Sequence, residues 1–150
     1  MNKEMLMKQI KRGSRSGFTL LEILLVVIII GMLVGVAVVN LGGKVKESKI
    51  TATRDQIHNY ESALDLYELD NGVLPSTEQG LNALIALPSG TPAPSNWKGP
   101  YLKPPIIKKD QWNRDFKYTC PGQHNTSTYD IASAGPDGQE GNEDDIGNWQ

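Results

Sequence analysis

The chain has 150 residues, of which 39% are hydrophobic and 21% charged, with a formal net charge of −2 and a single cysteine. That length suits one domain, and the lone Cys120 excludes an intrachain disulfide even in an oxidising compartment. Much of the Leu, Ile and Val lies between Phe18 and Leu41, so any core built beyond that point is small.

Residues 1–17 read as a basic leader, with Lys3, Lys8, Lys11, Arg12 and Arg15 against Glu4, a net of +4. From Phe18 onward 10 basic and 16 acidic residues remain, a net of −6, which argues against nucleic acid as a partner. The apolar run over 18–41 has transmembrane length, since about 20 residues rising roughly 1.5 Å each cover a hydrocarbon core of about 30 Å. Leader charge keeps the amino end cytoplasmic and sends the rest across the membrane lipid. Lys44, Lys46 and Lys49 oppose this more weakly, with Glu47 among them. A secretory signal peptide is the rival reading, but its apolar region would be too long and Asn40-Leu41-Gly42-Gly43 is a poor cleavage site.

Glu22 is the one carboxylate in the run, and an ionisable group in hydrocarbon costs on the order of 2.5 to 3.5 kcal/mol. It needs a partner. A cut between Gly17 and Phe18 would place a new α-amino group one helical turn away, and a neighbouring copy could offer its own amine to the carboxylate. Gly17, then Phe18-Thr19-Leu20-Leu21-Glu22 and a long apolar run, resembles the class III signal of type IV pilins and pseudopilins. The resemblance implies an α+β, type IV pilin-like fold. It also implies removal of the leader 1–17 by a prepilin peptidase, N-methylation of Phe18, and a requirement for Glu22 in assembly.

Beyond Leu41 the Gly42-Gly43 pair interrupts the apolar pattern, and Ile50, Thr53, Ile57, Tyr60, Leu64 and Tyr67 then recur at spacings of three and four. This predicts one amphipathic helix face laid on the domain's own core; an intermolecular coiled coil is the alternative. Asp70-Asn71-Gly72 with Pro75 ends it, which makes a helix of roughly 80 Å from Phe18 to about Asp70 at 1.5 Å per residue. Ser76-Thr77-Glu78-Gln79 is a capping box that predicts a short helix with Leu81, Leu84 and Ile85 inside, stopping before Pro88. Six prolines between Pro88 and Pro105 predict an irregular loop. Phe116, Tyr118 and Cys120, then Tyr129 and Ile131, alternate with polar residues and predict two antiparallel strands packed on the long helix.

Five carboxylates fall within 137–145, with no basic neighbour in sequence. That density repels itself, and a hard cation held by oxygens would remove the repulsion. Gly135, Gly138 and Gly141 leave the backbone free to turn carbonyls inward. The spacing does not fit an EF-hand, so the residues alone leave open a calcium loop or a solvated acidic turn.

Leu74-Pro75-Ser76-Thr77-Glu78-Gln79-Gly80-Leu81, Tyr129 through Gly138, and Asp144-Asp145-Ile146-Gly147-Asn148-Trp149 resemble the major pseudopilins of type II secretion systems. The resemblance implies calcium held by Asp137, Asp144 and Asp145, helped by the carbonyls of Ala134 and Asn142. Glu140 and Glu143 are left solvated, and Trp149 closes the loop over the core. Two departures stand out: Val39 replaces a frequent Pro, so helix unwinding would fall to Gly31, Gly35, Gly42 and Gly43; and Asp110-Gln111-Trp112-Asn113 replaces Asp-Pro-Trp-Gly.

No nucleophile elbow, P-loop or metalloprotease motif is present, and His58, His124 and Cys120 read as structural or exposed, so no enzyme is expected. The resemblance implies a single-pass inner-membrane subunit of a Gram-negative bacterium with a periplasmic head, 42–150. Its partners are other copies of itself in a pseudopilus, minor pseudopilins, the prepilin peptidase and an assembly platform. In that family the filament drives folded proteins through an outer-membrane secretin. A type IV or competence pilin and a non-polymerising, anchored calcium module are the alternatives.

Overall fold

The computed structural model describes residues 17–150, the side chains of 36–41 excepted. The expected leader, apart from Gly17, lies outside the described residues. The chain divides into two units, Met1–Leu41 and Gly42–Gln150.

Helix α1 runs from Leu20 to Asn71, 52 residues. In this single chain it is helical through Gly31, Gly35, Gly42 and Gly43. In the first unit every residue from Leu20 to Gly35 is exposed. Among the described residues no helix is long and apolar enough to cross a membrane; the end of the expected span, 36–41, has its side chains outside the described residues.

In the second unit the stripe behaves as the spacing predicts. Thr53, Ile57, Tyr60, Leu64 and Tyr67 are all buried, Ala63 joins them, and Ile50 packs against the cluster from the edge. Arg54, Asp55, His58, Asp65 and Glu68 stay exposed. The helix ends where Gly72, at φ 71°, takes the left-handed conformation and donates its N–H to Glu68 O at 2.7 Å.

The capping box closes in both directions: Gln79 N–H donates to Ser76 Oγ at 3.3 Å and Ser76 N–H to Gln79 Oε1 at 3.0 Å. The helix beyond it is shorter than predicted. Gly80 turns to φ 59°, and only a 3-10 helix, Leu81–Leu84, forms before the chain leaves. Leu81 and Leu84 are buried as expected, Ala83 joins them, and Ile85 is only partly buried. The proline-rich segment is irregular yet feeds the core through Leu102, with Trp97 Nε1–H donating to Ala83 O at 3.0 Å.

Strands β1 (Lys117–Thr119) and β2 (Asp130–Ser133) pair antiparallel, with Tyr118 opposite Ile131. A third strand, β3 (Ile146–Gly147), adds to the far side of β2. The sequence does not announce β3, because two residues carry no alternation. Asn148 extends its pairing: its N–H donates to Ile131 O at 3.1 Å and its Oδ1 accepts from Ile131 N–H at 3.0 Å. Phe116, Tyr118 and Ile131 join the helix stripe in one core, where the Tyr60 and Phe116 rings meet edge to face at 5.3 Å.

Candidate functional site

The candidate residues gather at two places. At the amino end, Thr19 caps α1: its Oγ1 and its carbonyl accept from Glu22 N–H at 3.2 and 3.1 Å. Glu22 thus sits at the third helical position, where the unsatisfied N–H groups of a helix start favour negative charge. The spacing Thr-x-x-Glu is the signal that could have revealed this local partner. Phe18 is 78% exposed and in the uncut chain precedes the helix, which begins at Leu20.

At the other end, the segment 134–145 is a chain of turns tied by its own side chains. Asp137 accepts from Gln139 N–H at 2.9 Å and from Asn142 Nδ2 at 2.8 Å. Asn142 Oδ1 accepts from Asp144 N–H at 2.8 Å, and Asp145 Oδ2 from Gly141 N–H at 2.7 Å. The other oxygen of Asp145 is buried and has no hydrogen-bond partner. A buried carboxylate oxygen without a donor suits a hard cation. Against a preformed ion site, no three acidic, His or Cys side chains converge as a metal-holding group among the described residues. Asp137, Asn142 and Asp145 are linked by the turns around them, while Asp144 takes part through its backbone.

Basic residues remote in sequence reach this loop, which corrects the reading of an acidic tail without basic neighbours. Lys117 pairs with Glu140, so Glu140 is not simply solvated. Arg114 lies over the turn at the loop's start: Nη1 donates to Gly135 O at 2.8 Å and to Ala134 O at 3.3 Å, and Nη2 to Pro136 O at 3.4 Å. Ala134 O, one of the expected metal ligands, also accepts from Gly138 N–H at 3.1 Å. Trp149 is corrected too. It is not part of the buried core; it stacks on His124 with centroids 3.9 Å apart and an angle of 12° between the rings. Beside the pair opens a cleft of about 120 Å³, lined also by Lys117, Asp130, Glu140 and Asp145.

The family described as type II secretion system (T2SS), protein G, matches residues 40–149, and the prokaryotic N-terminal methylation motif matches residues 12–38. The chain belongs to the protein G family of type II secretion systems. Among its relatives, the type II secretion system core protein G of Pseudomonas aeruginosa is 42% identical over 143 residues, covering 93% of this chain and 98% of that protein. The core protein G of Escherichia coli K12 is 47% identical over 135 residues, covering 89% and 90%. A crystal structure of the major pseudopilin from the type 2 secretion system of enterohaemorrhagic Escherichia coli matches with a TM-score of 0.64 at 40% identity, covering 73% of this chain and 94% of that one.

Within the protein G fold, the departure at Asp110-Gln111-Trp112-Asn113 has a local explanation. Asn113 adopts φ 65°, a conformation open to Gly and, among the other residues, most readily to Asn. The turn therefore survives the loss of its glycine. Asp110, buried at 6% exposure, accepts from Trp112 N–H at 2.9 Å and Arg114 N–H at 2.8 Å through one oxygen, and from Ser133 Oγ at 2.6 Å through the other.

Proposed function

We infer that this chain is a structural, non-catalytic subunit of the type II secretion pseudopilus. The observation that carries the inference is the joint match to protein G and to the N-terminal methylation motif, which spans Gly17, Phe18 and Glu22. On this reading a prepilin peptidase cuts after Gly17 and methylates Phe18, leaving the head in the periplasm and the apolar helix in the inner membrane. Identical head-to-tail contacts repeated along an axis give a helical filament. Minor pseudopilins and an inner-membrane platform would start and extend it, and its growth would help move folded proteins out through a secretin.

Glu22 would then exchange its place at a helix start for an ion pair with the amine of Phe18 in an adjacent subunit. Glu22→Ala should be inserted and processed like the parent but give no filament, read as the loss of cross-linked ladders between cysteines engineered into α1. Ladders equal to the parent's would refute the pairing.

We propose further that the loop 134–145 holds calcium. The residues that would hold the ion are Asp137, Asp144 and Asp145, with the carbonyls of Ala134 and Asn142. Support comes from the partnerless buried oxygen of Asp145 and from the five carboxylates that a divalent charge would offset.

A further inference from the structure

Arg114 offers no oxygen to an ion, yet it lies in an acidic neighbourhood with its guanidinium turned to backbone carbonyls. The guanidinium spends its donors on three consecutive carbonyls, those of Ala134, Gly135 and Pro136. Its planar fork of donors can bridge several acceptors at once, which a lysine ammonium does less well. We propose that Arg114 is a positioning residue, a cation built into the chain that folds the start of the acidic loop before any ion arrives.

Three further contacts place Gly135 and Gly138 under its control. Gly135 is buried at φ 57°, and its N–H donates to Ser133 Oγ at 3.2 Å. That hydroxyl donates in turn to Asp110, which also receives the backbone N–H of Arg114. The turn is therefore held at its N–H from one side and at its carbonyl from the other. Gly138, at φ 78°, lies directly beneath the guanidinium: a Cβ there would come within 2.6 Å of Nη1. A side chain at Gly138 would displace the arginine, and the arginine occupies the space that the glycine leaves.

Without Arg114 a loop with five carboxylates would keep only its own side-chain hydrogen bonds and the Lys117–Glu140 pair, and an exchangeable ion would have to fix its start. With Arg114 seated, the carbonyls of Gly135 and Pro136 already face a positive charge, and calcium would gather the distal carboxylates with the carbonyls of Ala134 and Asn142. This last step rests on the calcium reading; the hold of Arg114 on the turn does not.

Hydrogen exchange of the full chain in detergent, stripped of divalent ions by chelator, tests the proposal. In the parent, the amides of Gly135 and Gly138, hydrogen-bonded within the turn under Arg114, should remain protected. Arg114→Gln should exchange there at least tenfold faster, while the amides of Leu64 and Ile131 in the core keep their rates, and added Ca²⁺ should restore the loop. Arg114→Lys should fall between the two, and it decides the question should Arg114→Gln fail to fold. Loop exchange in the chelated variants equal to the parent's, or a loss spread evenly over loop and core, overturns the role assigned to Arg114. If the tenfold difference holds but Ca²⁺ changes neither protein, the arginine's role stands and the calcium reading falls.

Discussion

Asp110 and Asp130 are both buried, and each gathers several donors around its carboxylate. Asp110→Ala removes the acceptor shared by Trp112 N–H, Arg114 N–H and the Ser133 hydroxyl, and buried donors left unpaired cost about 1 to 3 kcal/mol each. A loss on the order of 3 kcal/mol is expected, read as a lower thermal midpoint of the full chain in detergent; a midpoint unchanged from the parent would mean water replaces the carboxylate. Asp130 accepts from the N–H groups of Gln123 at 2.6 Å, His124 at 2.8 Å and Asn125 at 2.9 Å. Burial pushes its carboxyl up, but those three donors outweigh it and hold it below the ordinary value. A lowered carboxyl stabilises the fold above the unfolded value of about 3.9, and that contribution is lost as pH falls through the folded value. Acid destabilisation should therefore set in below about pH 4, with a shallower acid limb in Asp130→Asn. Limbs of equal slope would remove Asp130 from the account.

At the scale of the element, α1 in the second unit owes its place to one face. Leu64 is fully buried among Tyr60, Tyr67 and the sheet residues, whereas Leu66, two positions on, is 52% exposed. Truncating a fully buried leucine costs about 2 to 5 kcal/mol through lost burial and the cavity left behind, while exposed positions usually change stability by less than about 0.5 kcal/mol. Leu64→Ala should lower the thermal midpoint by many degrees and Leu66→Ala by almost none. Equal effects would mean the helix is not seated by this stripe. The stripe was legible because a 3.6-residue period repeats turn after turn from Ile50 to Tyr67. The helix after Ser76 was legible only in part: its cap and buried leucines were correct, but Gly80 at positive φ broke the helix into a turn and a 3-10 segment.

For the whole molecule, the second unit closes on itself through its last residues, since β3 and Asn148 complete the sheet immediately after the acidic loop. Loop order and sheet order are thereby linked. Removing divalent ions should lower the thermal midpoint of the full chain and speed proteolysis within 139–150, and Asp137→Ala combined with Asp144→Ala should abolish the response to Ca²⁺. A midpoint indifferent to both chelator and Ca²⁺ would leave the loop as a turn held by hydrogen bonds and Arg114 alone.

Much of this was written in local order. The N-terminal methylation motif around Gly17 and Phe18, the stripe along α1, its end at Gly72, the reciprocal cap of Ser76 and Gln79, and the acidic run from Asp137 each depend on residues a few positions apart, so composition and period reveal them. Tertiary structure alone decided what meets across 17 or more positions: Asn148 on Ile131, Lys117 on Glu140, Arg114 on the Ala134–Pro136 turn, and Trp149 on His124 instead of on the core. Such pairs leave no period in the chain, because a hydrogen bond or a ring contact depends on where two remote backbones come together, and packing sets that.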